Sequence, residues 1–248
     1  MSRFKPAGIA PVNLDGQADG DYIRNDAGIW KPKNAGQVLS DLLPDSKWDT
    51  IRSKDYSVTG TTGSGALLQI NPFYIYAGAG ATANSTARFR VYRLAGFSRG
   101  TTHSTIDFDK LICWKIRVHS ANVTTATGII WAMWGGSLED AAPADPTSKA
   151  IGIKIIGTAI HGLVHDGTNM NTVDLTTAYS RYAQDILIVS QAGNVKWYID
   201  DVYKGESNDG PTGLSAASEC TLGFGITNGA NEADHRLYVH DGKIYVEA

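Results

Sequence analysis

An all-β protein built as a two-sheet sandwich is what this sequence predicts, and three observations predict it. Apolar and polar residues alternate with a period of two along most of the chain after about residue 56. Gly, Asn and Asp turns punctuate these ribbons throughout. Helical spacing of apolar residues shows at one short place only. The 248 residues are 42% hydrophobic and 19% charged, enough apolar surface for a sizeable core and incompatible with a wholly disordered chain. No self-similarity at a period of roughly 20–50 residues points to a propeller or a solenoid.

Along the chain, residues 1–55 read as a separate segment. Asp15-Gly16, Asp19-Gly20 and Asp26-Ala27-Gly28 are turn signals, and Asp21–Arg24 with Gly28–Lys31 reads as a hairpin of two very short strands. Val38, Leu39, Leu42 and Leu43 fall at helical spacing over Ala35–Leu43, and Pro44 stops the helix. This segment is too poor in apolar residues for a core of its own and is expected to attach to a partner. Residues 56–248 form the sandwich. Leu67–Ala77 and Ala87–Leu94 read as strands. In Ser104–His119, Ile112, Trp114, Ile116 and Val118 face inward while Cys113, Lys115, Arg117 and His119 face outward. Gly128–Trp134, Ala150–Ile156, Ala159–His165, Gln184–Ser190, Asn194–Asp200, Cys220–Ile226, Arg236–His240 and Lys243–Glu247 complete about twelve strands. Such ribbons need a second layer over their apolar face, which a two-sheet sandwich supplies.

Charge and cysteine usage narrow the function. Lys and Arg number 22 and Asp and Glu 25, a net charge of −3 without a basic run. Nucleic-acid binding therefore has no electrostatic footprint. No apolar run is long enough to insert in a membrane, and Met1–Pro6 lacks the apolar core of a signal peptide. Cys113 falls on an outward face and Cys220 on the face of Leu222 and Phe224, so a disulfide is not expected, in keeping with synthesis in a reducing cytoplasm.

Several motifs dissolve in context. Gly96-Phe97-Ser98-Arg99-Gly100 matches a nucleophile elbow but lacks the helix that must follow. Gly78–Ala83 matches a dinucleotide fingerprint but leads into a strand. His161 and His165 lie on one face of a strand about 13 Å apart, too far to share one metal. Asp107-Phe108-Asp109 is not the Glu-x-Asp-x-Glu strand of a retaining jelly-roll glycan hydrolase. No catalytic, metal or cofactor site is expected.

From Ser104 onward, Cys113–Val118, Ala150–Lys154, Val195–Val202, Arg236–Val239 and Lys243–Val246 together resemble the concanavalin A-like, laminin G-like jelly roll appended to phage virion proteins. Asp201 stands where that family has Gly, which implies a looser turn. Asp19–Arg24 followed by Gly28–Pro32 is similar to a short module of phage structural proteins. The resemblance implies a non-enzymatic virion structural protein of capsid-decoration, head-fibre or tail-fibre type, assembled in the host cytoplasm. It also implies other virion proteins as partners through the N-terminal segment, and a homo-oligomer, commonly a trimer. A carbohydrate-binding host-recognition module is the alternative, and a glycan hydrolase a less favoured one. A ligand such as a host-surface glycan is expected at His165, Asp166, Asn169 and Asn171, with His161 on the same side and Trp134 as a stacking surface. The bland reading of the same residues is a solvated hairpin turn and a locally packed indole. Trp131 and Trp134 fall on opposite faces, so one of them is expected to be exposed or packed on another chain.

Overall fold

The computed structural model describes residues 22–26, 29–33, 49–51, 56–62, 66–71, 73–91, 106–121, 129–135, 145–178, 183–215, 222–230 and 235–247. Among them the chain forms strands and no helix. The expected helix at Ala35–Leu43 and the Ser98 motif lie outside the described residues. Strands are numbered in chain order. β1 (Tyr22–Asp26) and β2 (Ile29–Lys33) pair as a two-stranded sheet with Arg24 opposite Lys31.

The remaining strands make two sheets, and every pairing is antiparallel. One sheet has seven strands, in the spatial order β12 (Met170–Ala178), β11 (Ala159–His165), β10 (Ala150–Ile156), β9 (Ile129–Gly135), β16 (Leu222–Thr227), β7 (Thr86–Val91) and β4 (Tyr56–Thr62). The other has nine. Its main path is β15 (Val202–Ser207), β14 (Asn194–Ile199), β13 (Gln184–Gln191), β8 (Ile112–Ala121), β17 (Arg236–His240), β6 (Tyr74–Gly78) and β5 (Leu67–Ile70). β18 (Gly242–Val246) pairs with β8 beyond β17, and β3 (Asp49–Ile51) pairs with β18.

Period-two alternation decides which side chains meet between the sheets. Trp114, Ile116 and Val118 of β8, Ile186 and Ile188 of β13 and Val195, Trp197 and Ile199 of β14 point inward. They face Ile151, Ile153 and Ile155 of β10, Ile160 and Val164 of β11 and Phe224 of β16. Phe224 stacks on Phe89 at 5.0 Å and meets the edge of Trp114 at 6.0 Å. Trp197 ties the two sheets together. Its Nε1 donates to the Gly152 carbonyl at 2.8 Å. A Cβ on Gly162 would lie 2.6–2.8 Å from three atoms of the Trp197 ring, so only glycine lets the indole lie on the β11 backbone.

Several expectations need correction. The expected strand Leu67–Ala77 is a hairpin, β5 and β6, because the backbone turns back at Asn71, whose amide donates to the Tyr74 carbonyl at 2.9 Å. β12 and β15 were not expected as strands. They are edge strands with many exposed polar positions: β15 shows no apolar alternation, and β12 shows it only at Val173 and Leu175, too short a run to stand out. The turn after β14 is not loose. It has only Asp200 (φ 50°) and Asp201 (φ 64°), both left-handed, the conformation that matches strand twist in a two-residue hairpin. Asp185 holds it, giving its amide to Asp200 Oδ1 at 2.9 Å and taking the Asp200 amide at 2.8 Å. Cys113 faces outward as predicted but is buried, because Leu187, Val189 and Tyr198 cover that side of the sheet. Burial pushes its thiol up to about 12, and it is a free cysteine. Cys220 lies outside the described residues. Trp131 and Trp134 do face opposite sides, yet neither is exposed: both are buried.

Trp114 supplies an internal control for Trp197. It is equally buried, but among the described residues its Nε1 has no hydrogen-bond partner. Trp197→Phe should therefore cost about 1–2 kcal/mol more than Trp114→Phe in urea unfolding. Equal losses would mean that the bond to Gly152 contributes nothing.

Candidate functional site

Residues that pair across a sheet share a face, so register assembles groups that the sequence keeps apart. On the outer face of the seven-stranded sheet, Asp174 of β12 stands opposite His161 of β11, and His161 opposite Lys154 of β10. Lys154 is opposite Trp131 of β9, and Gly225 of β16 joins Trp131 to Arg88 of β7. One row thus carries a carboxylate, an imidazole, an ammonium, an indole and a guanidinium. Each sits on the outer parity of its strand, next to core residues such as Ile153, Ile155 and Ile160.

Asp145, just before β10, organises the centre of this row. Its Oδ1 takes the Lys154 Nζ at 2.6 Å and the Trp131 Nε1 at 3.0 Å, and its Oδ2 takes Lys154 again at 2.9 Å. Lys154 also lies 5.9 Å from the Trp131 ring centre. The Lys154 side chain is only 11% exposed. Burial alone raises the Asp145 carboxyl, but the hydrogen bonds from Lys154 and Trp131 and the Lys154 charge outweigh it and hold Asp145 below the ordinary carboxylate value. Trp131 covers Met133, Ala150 and Leu163 beneath it and is itself 3% exposed.

The predicted ligand residues separate into three groups. His161 belongs to the row and is partly exposed. His165 shares its face but is buried, and its Nδ1 accepts the Gly167 amide at 3.0 Å, which leaves the proton on Nε2. Asp166 closes the β11–β12 turn. Its Oδ1 accepts the Thr168 and Asn169 amides at 2.6 and 2.7 Å, and these amides lower its carboxyl. Asn171 lies in β12 and gives its Nδ2 to Asp209 at 2.6 Å. The carboxylate of Asp166, the Asn169 side chain that bonds it at the exposed tip, and the amide of Asn171 are thus engaged within the protein. Trp134 is the clear correction: it is fully buried in the core and offers no face to a sugar. Sequence reasoning missed Asp145, Lys154, Asp174 and Arg88. A lysine between Ile153 and Ile155 does signal an outward position, but its neighbours depend on register.

Among the described residues, no group of three or more His, Cys, Asp or Glu side chains is arranged to hold a metal ion. The two antiparallel sheets, with this topology, make a concanavalin A-like jelly roll. The carbohydrate recognition domain of Emp47p is similar in fold, with a TM-score of 0.50 at 12% identity over 83% of this chain and 90% of that one. The β-glucanase of Bacillus licheniformis is also similar, with a TM-score of 0.51 at 11% identity over 78% and 92%. No protein-family model matches this sequence, and no curated protein matches it. At these identities the likeness defines the fold.

The Asp145 clamp has a pH signature. A carboxyl lowered in the folded state stabilises above its unfolded value of 3.8 and loses that contribution as pH falls through the folded value. Asp145→Asn should be less stable than the unaltered protein near pH 7, because Lys154 loses its partner, and the difference should shrink below about pH 4. Denaturant unfolding of both proteins across this range checks it. A difference independent of pH would contradict the clamp.

Proposed function

We propose that this chain is a non-enzymatic, carbohydrate-binding jelly-roll module carried on a phage particle. The observation that carries the reading is the commitment of Asp145. A glycan hydrolase working with two carboxyl groups needs one of them raised, so that it is protonated near neutral pH and can donate to the leaving oxygen. Asp145 is shifted in the opposite direction and is held by Lys154 and Trp131. The row fits recognition better. His161 and Asp174 present donors and acceptors along one face beside the Lys154–Asp145 pair, and hydroxyl-rich ligands are bound by such groups with little cost in rearrangement when the groups are already fixed.

The particle setting is supported by the N-terminal segment. β1 and β2 pair with each other and with no other described strand. A two-stranded hairpin has too little apolar surface to stand alone, which suits a segment that orders on a partner. Attachment to other virion proteins, and assembly as a homo-oligomer, belong to the same proposal.

Two readouts on the full chain test it. Incubated with a panel of soluble polysaccharides, the protein should co-sediment with at least one of them and leave its length unchanged by size-exclusion chromatography. Shortening of the polymer would overturn the non-enzymatic reading. Mass spectrometry of purified phage particles should find the chain in the virion, and its absence from them would remove the particle setting.

A further inference from the structure

The outer face of the nine-stranded sheet carries a second cluster that the row on the opposite sheet does not involve. Gln69 of β5, Tyr76 of β6, Tyr238 of β17 and His119 of β8 are consecutive partners across four strands. The rings touch in series. Tyr76 and Tyr238 are 5.0 Å apart between centres, and His119 stacks on Tyr238 at 5.1 Å with 21° between planes. One step along the strands, Tyr74 lies edge-on to Tyr238 at 5.5 Å and to His240 at 6.1 Å. All five rings are partly exposed, Gln69 is exposed, and Phe73 at the turn of the hairpin is 78% exposed.

This arrangement follows from parity. Ile75 and Ala77, and Leu237 and Val239, point into the core, which leaves Tyr74, Tyr76, Tyr238 and His240 on the outside. Strands about 4.8 Å apart then set the three rings of the main row in a line about 10 Å long. The cluster contains no aliphatic side chain. Every ring has a hydroxyl or a nitrogen at its edge, so the patch offers apolar faces and polar rims together. Two guanidinium groups, Arg117 of β8 and Arg236 of β17, stand beside the row and not within it. Arg117, next to His119 on β8, is met by Asp185 at 3.8 Å. Burial, followed by the charges of Arg117 and His119, lowers the His240 imidazole below its ordinary value, which favours the neutral ring.

We infer that Tyr74, Tyr76, Tyr238 and His119 form a binding platform for a neutral glycan, whose pyranose rings pack on the parts of these mutually stacked rings that remain exposed while its hydroxyls pair with the ring edges and Gln69. The inference rests on the carbohydrate-binding reading and adds to it a second site and a ligand class. An anionic polymer would find no unpaired cation within the row of rings.

Native affinity electrophoresis of the full chain tests it, with dextran, mannan and laminarin as neutral probes and hyaluronan and dextran sulfate as anionic ones. At least one neutral polysaccharide should retard the protein. Tyr238→Ala and His119→Ala should weaken that retardation by about tenfold, Tyr238→Phe should keep most of it, and Lys196→Ala, on β14 of the same sheet where Lys196 pairs with Glu206 at 3.7 Å, should leave it unchanged. In the unaltered protein, the imidazole NMR signals of His119 and His240 should move on adding the retarding polysaccharide as a short oligomer, a readout that does not depend on any variant folding. Retardation that Tyr238→Ala and His119→Ala leave intact, with unmoved imidazole signals, overturns the platform while the carbohydrate-binding reading stands. Retardation by the anionic polymers alone overturns the ligand class. If no polysaccharide retards the unaltered protein, the carbohydrate-binding reading fails and the platform with it. Loss of an oligomer in Tyr238→Ala without change in retardation assigns the face to a second copy of the chain and overturns the inference.

Discussion

Trp197 fixes how the two sheets sit against each other. It rises from β14, crosses the core and gives its indole hydrogen to the Gly152 carbonyl of the opposite sheet. Its ring rests where a side chain on Gly162 would be. Hydrophobic burial alone is non-directional and would allow one sheet to slide over the other. A hydrogen bond to one carbonyl, with a ring seated on one glycine, selects a single alignment. A similar fit closes the open side. The edge strands β12 and β15 approach at Gly205, where a Cβ would lie 3.2 Å from Val173 and 3.3 Å from Leu175.

With the inner faces joined, the outer faces are free to differ. The seven-stranded sheet carries charges and an ion pair, Asp145 with Lys154, over a buried apolar layer of Trp131, Met133, Ala150 and Leu163. The nine-stranded sheet also carries ion pairs, Lys115 with Asp201 and Arg117 with Asp185, and beside them a row of rings from Tyr76 through Tyr238 to His119. Each face is assembled by register from side chains on several strands. A slip of one residue in any strand would turn its contribution into the core and bring an apolar residue out. The surface chemistry is therefore only as exact as the core alignment beneath it.

Alternation made much of the fold legible. Trp114, Ile116 and Val118, and Val195, Trp197 and Ile199, are inward by parity in the sequence and inward in the structure. β12 and β15 were not legible, because edge strands such as Met170–Ala178 have little apolar face to show. Parity also tells direction without telling cover. Cys113 was placed on an outer face correctly, yet Leu187 and Tyr198 bury it. Of Trp131 and Trp134 the sequence suggests Trp134 as the outward ring, whereas Trp134 is in the core and Trp131 lies on the outer face, buried beside Met133 and Leu163. The candidate sites were the least legible part. His161 was identified, but its row depends on pairings with Asp174, Lys154 and Trp131 that no local pattern encodes. Tyr238 meets Tyr76 and His119 only because β17 inserts between β6 and β8.

The most direct measurement of the central constraint is a double-mutant cycle between Gly162 and Trp197 read by urea unfolding. Alanine is ordinarily no worse than glycine inside a strand, since glycine costs more backbone entropy. Here its methyl group would fall within 2.6–2.8 Å of the Trp197 ring. If Trp197 sets the alignment, Gly162→Ala should destabilise the protein by about 1–3 kcal/mol, and the same change should be neutral or stabilising once Trp197 is leucine. An equal effect of Gly162→Ala in both backgrounds would contradict the account.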